Sequence, residues 1–265
     1  MTHTVTILGC GSSGGVPRVA SGWGRCNPEN PRNRRRRCSI LIERAGLAGR
    51  TTILVDTSPD LREQLIEAEV DHIDGVFYTH EHADHTHGID DLRPLVLEMQ
   101  RRIQIFGSQA TLALLHHRFS YCFASPPGSS YPPILDSHQI TAGEMVSIGG
   151  LGGSVGITPF RMIHGDIDSF GFRVGNFAYA PDVSAIPDDS LRELSGLDVL
   201  VLDALRYKPH PTHLTVQESL NYIAAIAPKR AILTNLHTDL DFEELQKLLP
   251  DNVEPAYDGL KISFS

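Results

Sequence analysis

Short apolar runs recur along the chain, most of them too short for helices and too continuous for half-exposed strands. Thr4–Leu8 (TVTIL), Cys38–Glu43, Thr51–Val55, Gly75–Tyr78 and Ile103–Phe106 read as strands. Further strand signals follow at Val155–Phe160, Phe170–Val174, Phe177–Ala180, Val199–Asp203, Ala231–Thr234 and Leu260–Phe264. Helical patterns lie between them. Ser58 as N-cap with Pro59 at the first position predicts a helix to about Glu69. Others are predicted around Asp90–Leu97, near Gln109–Phe119 and at Phe242–Leu249. Thr215 and Glu218 have the spacing of a capping box, which predicts a helix from there to about Ala225. Gly9–Pro17 (GCGSSGGVP) is too glycine-rich for regular structure, and residues 124–137 (ASPPGSSYPPILDS) read as a loop or lid. Strands and helices mix throughout without a linker, so the pattern predicts one α/β domain spanning residues 1–265.

Composition narrows the partners. A formal net charge of -9 argues against holding a large nucleic acid through bulk charge. No apolar run approaches the roughly 18 residues that a membrane span needs, and Met1–Cys10 has no signal-peptide pattern. Cys10, Cys26, Cys38 and Cys122 show no CxxC spacing. They suit a reducing compartment better than a disulfide framework, so a cytoplasmic protein is expected. The 13 histidines are the unusual feature.

Four of them fall in THEHADHTHG, residues 79–88, directly after a buried strand. His80 and His82 alternate, so an extended chain points them the same way. Asp84 and His85 are adjacent and point differently, which suits a second ion beside the first. Imidazole with carboxylate fits zinc, manganese or iron, and two divalent ions roughly 3.5–4 Å apart form the usual clamp for a phosphoester. The plain alternative is a wet loop with a chance run of histidines. The strand in front of it weighs against that. His87, one step past the pattern, is expected behind the ligands or in solvent. One stretch rarely completes a two-metal site, so further ligands are expected where other strands run out. Candidates are His164 after Thr158–Ile163, Asp182 ending FAYAPD, His213 in PHPTHLT and His237 in ILTNLH.

The order HxHxDH, a later His, a later Asp after an apolar strand and a last His resembles the metallo-β-lactamase superfamily. The resemblance implies a four-layer αββα sandwich, two facing mixed β-sheets with helices outside. It also implies a dinuclear site holding Zn2+ or Mn2+, with Fe2+ an alternative. His80, His82 and His164 would hold the first ion, Asp84, His85 and His237 the second, and Asp182 would bridge. Within the superfamily, LGCGSSGGVP, RRRRCSILIE and THLT look most like the phosphodiesterases of the carbon–phosphorus lyase pathway. A small phosphorylated ligand, ribose phosphate or nucleotide-like, is then the expected partner, cleaved as a (cyclic) phosphodiester, and a homodimer is common in the family. Asp84 would orient the attacking water, and His213 would act as general acid or position the substrate.

Two departures matter. Relatives often carry a cysteine cluster for a structural zinc near the N-terminal loop; only Cys26 lies there, so that zinc is not expected. Relatives also tend to read T-H where this chain reads Thr234-Asn235, which leaves Asn235 or His237 as the last ligand; imidazole, the better donor, favours His237. Ser12, Ser13 and Thr215 are candidate substrate contacts, Thr215 because it opens a helix, whose N-terminus favours phosphate. The Gly9–Pro17 loop equally fits a sharp bend between strands. The Arg32–Arg37 run reads as a solvated face or a phosphate contact, and Tyr121 and Tyr131 as loop packing or stacking groups. A tRNA 3′-end endoribonuclease or a thioester hydrolase on the same fold is the alternative. The first would need a basic arm, and none is visible.

Overall fold

The computed structural model describes residues 2–264. Among the described residues fourteen strands form two seven-stranded mixed sheets. The first sheet contains β1 (His3–Gly9), β2 (Ser39–Gly46), β3 (Gly49–Val55), β4 (Gly75–Phe77), β5 (Ile103–Gly107) and β6 (Leu135–Gln139). The second contains β7 (Val146–Ile148), β8 (Val155–His164), β9 (Ile167–Val174), β10 (Phe177–Ala180), β11 (Val199–Asp203), β12 (Arg230–Thr234) and β13 (Val253–Pro255). The last strand, β14 (Lys261–Phe264), returns to the first sheet beside β1. The strand orders are β14-β1-β2-β3-β4-β5-β6 and β13-β12-β11-β10-β9-β8-β7. In each sheet an antiparallel part, closed by hairpins, passes into a parallel part: β3 to β6 in one, β10 to β13 in the other.

The helices are α1 (Leu61–Glu67), α2 (Ala83–Thr86), α3 (Arg93–Met99), α4 (Gln109–Arg118), α5 (Ser120–Phe123), α6 (Asp188–Glu193), α7 (Val216–Ile226) and α8 (Phe242–Leu248). Parallel neighbours need crossovers, and most of these helices supply them. Covering both faces explains why the strands read as continuous apolar runs. Ile53 and Val55 point between the sheets, while Leu54 packs outward under the helices with Leu61 and Leu65. Val199 and Val201 likewise face the inter-sheet core, and Leu200 and Leu202 face the opposite way with Ile223 and Leu245. None of the helices is long and apolar enough to cross a membrane among the described residues.

Several expected boundaries move. The helix expected from Ser58 starts at Leu61 with Asp60 at the cap position. Ser58 Oγ instead donates to Gln64 Oε1 (2.8 Å) and accepts from the Asp60 N–H (3.1 Å), making a turn ahead of the helix. The Asp90–Leu97 pattern divides into a 3-10 turn, Ile89–Leu92, and α3. The proline-rich stretch 124–137 ends in β6, whose Leu135 pairs in parallel with Ile103.

Gly9 closes β1 where the chain must pass tightly under the start of β2. A Cβ there would meet the backbone oxygens of Arg36 (2.8 Å) and, closer still, Arg37. Gly9→Ala is therefore expected to cost about 1–3 kcal/mol, lowering Tm by about 2–4 °C per kcal/mol. Gly149→Ala, which has nothing within 4 Å, should shift Tm much less in the same calorimetric scan.

Candidate metal centre

β3, β4, β8, β10, β11 and β12 run out at one edge of the sandwich, and each leads to a polar side chain there. Beyond β4, His80 Nε2 lies 3.0 Å from His82 Nδ1. His164 Nε2, at the end of β8, lies 3.3 Å from the same Nδ1. His164 donates its Nδ1–H to the Thr212 carbonyl (2.7 Å), so its inward nitrogen carries a lone pair. Three ring nitrogens thus converge on one point, where they cannot all donate to one another.

A second pocket adjoins the first. His85 Nε2 faces Asp84 Oδ2 (3.4 Å) and Asp182 Oδ1 (3.2 Å). The other Asp182 oxygen, Oδ2, is 3.8 Å from His164 Nε2 and 3.8 Å from His213 Nε2. Asp182 therefore presents one oxygen to each side. Burial alone would raise its pKa, but His85, His213 and His80 hold the carboxyl well below its ordinary value. Burial likewise opposes a charged His85, yet Asp182, Asp84 and Asp56 hold that imidazole well above its ordinary value. His80 is pushed well down by burial and by His85. Imidazole nitrogens beside ionised carboxylates are the donor set that zinc, manganese and iron accept. His80, His82 and His164 fit one ion, Asp84 and His85 a second, with Asp182 between them. His82 is the exposed member and opens the site to solvent.

Two buried carboxylates that sequence reasoning left out set ring orientations. Asp56, fully buried just past β3 at φ 64, accepts from His85 Nδ1 (2.7 Å), from the Thr79 N–H (2.8 Å) and from Thr79 Oγ1 (2.8 Å). Asp203, at the end of β11, accepts from His213 Nδ1 (2.9 Å). Burial pushes Asp203 up to about 7, its bond to His213 pulling the other way. Burial disfavours charge on His213 too, but Asp203 outweighs it and holds the ring at about 9. Both acids end apolar strands, TTILVD and VLVLD, the signal that singled out Asp182.

The structure brings His213 to the cluster: its Nε2, Asp182 and His164 lie within 4.8 Å of one another. It does not bring His237 there. Asn235, the first residue past β12, takes a left-handed conformation (φ 61) that Asn tolerates, and this turns its own side chain inward. Its amide Nδ2 reaches the Pro181 carbonyl (3.2 Å) and Asp182 Oδ1 (3.4 Å). Two residues on, His237 faces the N-terminal loop, with Nε2 2.6 Å from Arg18 Nη1. The expectation that His237 ligates the second ion is corrected accordingly.

Thr215 is corrected as a substrate contact as well. Its hydroxyl and backbone N–H are both engaged with Glu218 in the capping box of α7. Ser12 is buried, its N–H on the Leu236 carbonyl (3.3 Å), and its Oγ has no partner among the described residues. Ser13 lies on the rim of a groove that Asp84 also lines. His87 is exposed and packs against Phe119. The arginine run is a solvated face only in part: Arg32 and Arg34 are exposed, Arg36 and Arg37 half-buried and Arg35 buried. Arg32 lies over Phe242 and Tyr257, Arg34 over Trp23, and Arg36 and Arg37 pair with Asp258 and Asp60. Arg35, buried, reaches the Leu240 carbonyl (2.8 Å), the His237 carbonyl (3.4 Å) and the Cys26 sulfur (3.8 Å). Tyr121 and Tyr131 share a shallow surface pocket with Asp90 and Arg93, away from the cluster.

A family model described as a beta-lactamase superfamily domain matches residues 51–235, and the chain belongs to that superfamily. It has the metallo-β-lactamase fold. It is similar, at 36% identity and a TM-score of 0.89, to a solved structure described as a new diphosphatase from the PhnP family; the match covers 100% of this chain and 98% of the other. Zinc-bound PqqB from Methylobacterium extorquens (TM-score 0.77, 19% identity, 98% of this chain and 99% of that one) shares the fold. So does the short form of human tRNase Z (TM-score 0.66, 19% identity, 98% of both chains). An octanoyltransferase from Porphyromonas gingivalis is 33% identical over 260 residues, covering 96% of this chain; the chain spans about half the length of that curated relative.

His80→Ala and Asp182→Ala are expected to lose most bound metal when assayed by elemental analysis, whereas His237→Ala should keep it. Asp56→Asn removes the charge behind His85 and leaves one acceptor oxygen for three donors, and should weaken metal affinity about 10–100-fold, read by competition with a chromogenic chelator.

Proposed function

We propose that the protein is a metal-dependent hydrolase of small phosphodiesters, acting on a (cyclic) phosphoribosyl or nucleotide-like substrate. The observation that carries this reading is the placement of Asp182 between two donor pockets, one oxygen toward each. Similarity to the PhnP-family diphosphatase supports it. Two divalent ions held by His80, His82, His164, Asp84, His85 and Asp182 would supply Lewis acidity, neutralising phosphoryl charge and acidifying water.

The chain's own groups do the remainder. Asp84 and Asp182 stay ionised, and their oxygens orient the attacking water. Asp56 and the Thr212 carbonyl fix the His85 and His164 rings, so the donor atoms are set before substrate arrives. His213, held through Nδ1 by Asp203, presents Nε2 beside Asp182 and donates its proton to the leaving oxygen.

Metal-loaded protein should be assayed side by side on bis(p-nitrophenyl) phosphate, a thioester and nitrocefin. Turnover of the diester above the other two is expected; preferential thioester hydrolysis would overturn the reading. The role of His213 has its own signature. His213→Ala should lower kcat about 10²–10⁴-fold on a diester with an alkoxide leaving group. A nitrophenolate leaves without a proton, so the loss should be much smaller on nitrophenyl esters. Equal losses on both would assign His213 to phosphate binding, and loss of metal would assign it to the ligands.

A further inference from the structure

Beside Asp84 an open groove of about 410 Å³ runs under the N-terminal loop, lined by Ser13, Arg18, Arg37 and Pro59 among others. Arg18 is held there unusually. Among the described residues its side chain has one hydrogen-bond partner, a neutral acceptor: Nη1 lies 2.6 Å from His237 Nε2. His237 Nδ1 faces Asp239 Oδ1 (3.2 Å), which directs the ring's proton to that side and the lone pair to Arg18. Burial and the Arg18 charge beside it lower the His237 pKa against the pull of Asp239, in keeping with a neutral ring. Among the described residues no carboxylate pairs with Arg18, whereas Arg36 and Arg37 are matched to Asp258 and Asp60. On its other flank the guanidinium lies against Gly14, where a Cβ would collide with Nε and come within 3.0 Å of Cζ. Glycine at position 14 thus lets this side chain cross the loop. A permanently charged fork, aimed by an imidazole and left without a counter-charge, stands at the groove that leads to Asp84.

We propose that Arg18 selects substrates carrying a second anionic group, a phosphomonoester remote from the scissile diester, and that His237 is the residue that positions it. The proposal rests on the phosphodiesterase reading of the adjacent centre. A guanidinium donates two parallel N–H bonds to a phosphate, and one fixed in advance loses less rotamer freedom on binding. Arg37 lines the same groove but is matched to Asp60 through Nε (3.0 Å), so the anion is assigned to Arg18. The same chemistry would serve free phosphate released as product, so the test must separate the two.

The probes are adenosine 2′,3′-cyclic phosphate with and without a 5′-phosphate, hydrolysed by metal-loaded protein. Wild type should have the lower KM for the 5′-phosphorylated member. Arg18→Ala should shrink the KM ratio between the two substrates roughly 10- to 100-fold, the worth of a charge-assisted contact, with the effect on KM rather than kcat. His237→Ala should shrink it less, and His237→Gln, which restores an acceptor, should recover part of it. A purely structural role for His237 would move Tm without moving this ratio. Equal KM values in wild type, or an Arg18→Ala loss shared by both substrates, would overturn the proposal. In parallel, ribose 5-phosphate, ribose and inorganic phosphate are titrated calorimetrically. Binding of ribose 5-phosphate that weakens at least tenfold in Arg18→Ala supports the site. Binding that does not change, or inorganic phosphate binding equally well, overturns the substrate assignment. Failure of both cyclic phosphates to react would sink the phosphodiesterase reading alone, and the titration would then decide the anion site by itself.

Discussion

A carboxylate as buried as Asp182, at 3% exposure, is held in its ionised form by the imidazoles around it. Moving such a charge out of water costs several kcal/mol, and that cost has to be offset by partners in fixed positions. Here the partners come from both sheets: His80 and His85 from the segment after β4, His164 from β8, His213 from the segment after β11. The edge of the sandwich is organised around this need. Parallel strands carried side by side all run out in the same direction, so their C-terminal ends bring polar residues to one place while the strands themselves remain apolar.

The N-terminal loop fastens the two sheets at that edge. Gly11 bridges Arg37 at the start of β2 and Leu236 past the end of β12. Asp258, ahead of β14, accepts from the Cys10 and Arg36 N–H groups (3.2 and 2.8 Å). Arg35 ties the same loop to the segment after β12 through Leu240 and His237. These contacts place Arg18 beside the groove without lending it to the metal ligands. The loop therefore serves as a structural clamp and also carries Arg18 to the groove.

The sandwich and the first half of the site were legible in the sequence because both rest on local patterns. HxHxDH depends only on its own spacing after a strand, and apolar runs mark strands covered on both faces. His237 was misread because the deciding fact is a backbone torsion: Asn235 turns left-handed, so the inward position falls two residues earlier than the imidazole suggested. Asp56 and Asp203 were within reach, since each ends an apolar strand as the segment before Asp182 does. Their role shows only in three dimensions, where each accepts from an imidazole Nδ1. The strands β7 and β13 were missed for a plainer reason. Each is three residues long with a polar residue at its centre, Ser147 and Glu254, whereas β4, equally short, is wholly apolar. The arginine run looked like a charged surface, and only tertiary contacts reveal that Arg35 is interior.

The central claim is that Asp182 joins two metal pockets, one on each of its oxygens. Anomalous diffraction from crystals of the metal-loaded protein addresses it directly. Two peaks are expected, one among His80, His82 and His164 and one beside Asp84 and His85, both within bonding distance of Asp182, with His237 still on Arg18. A single peak, or a peak coordinated by His237, would contradict it.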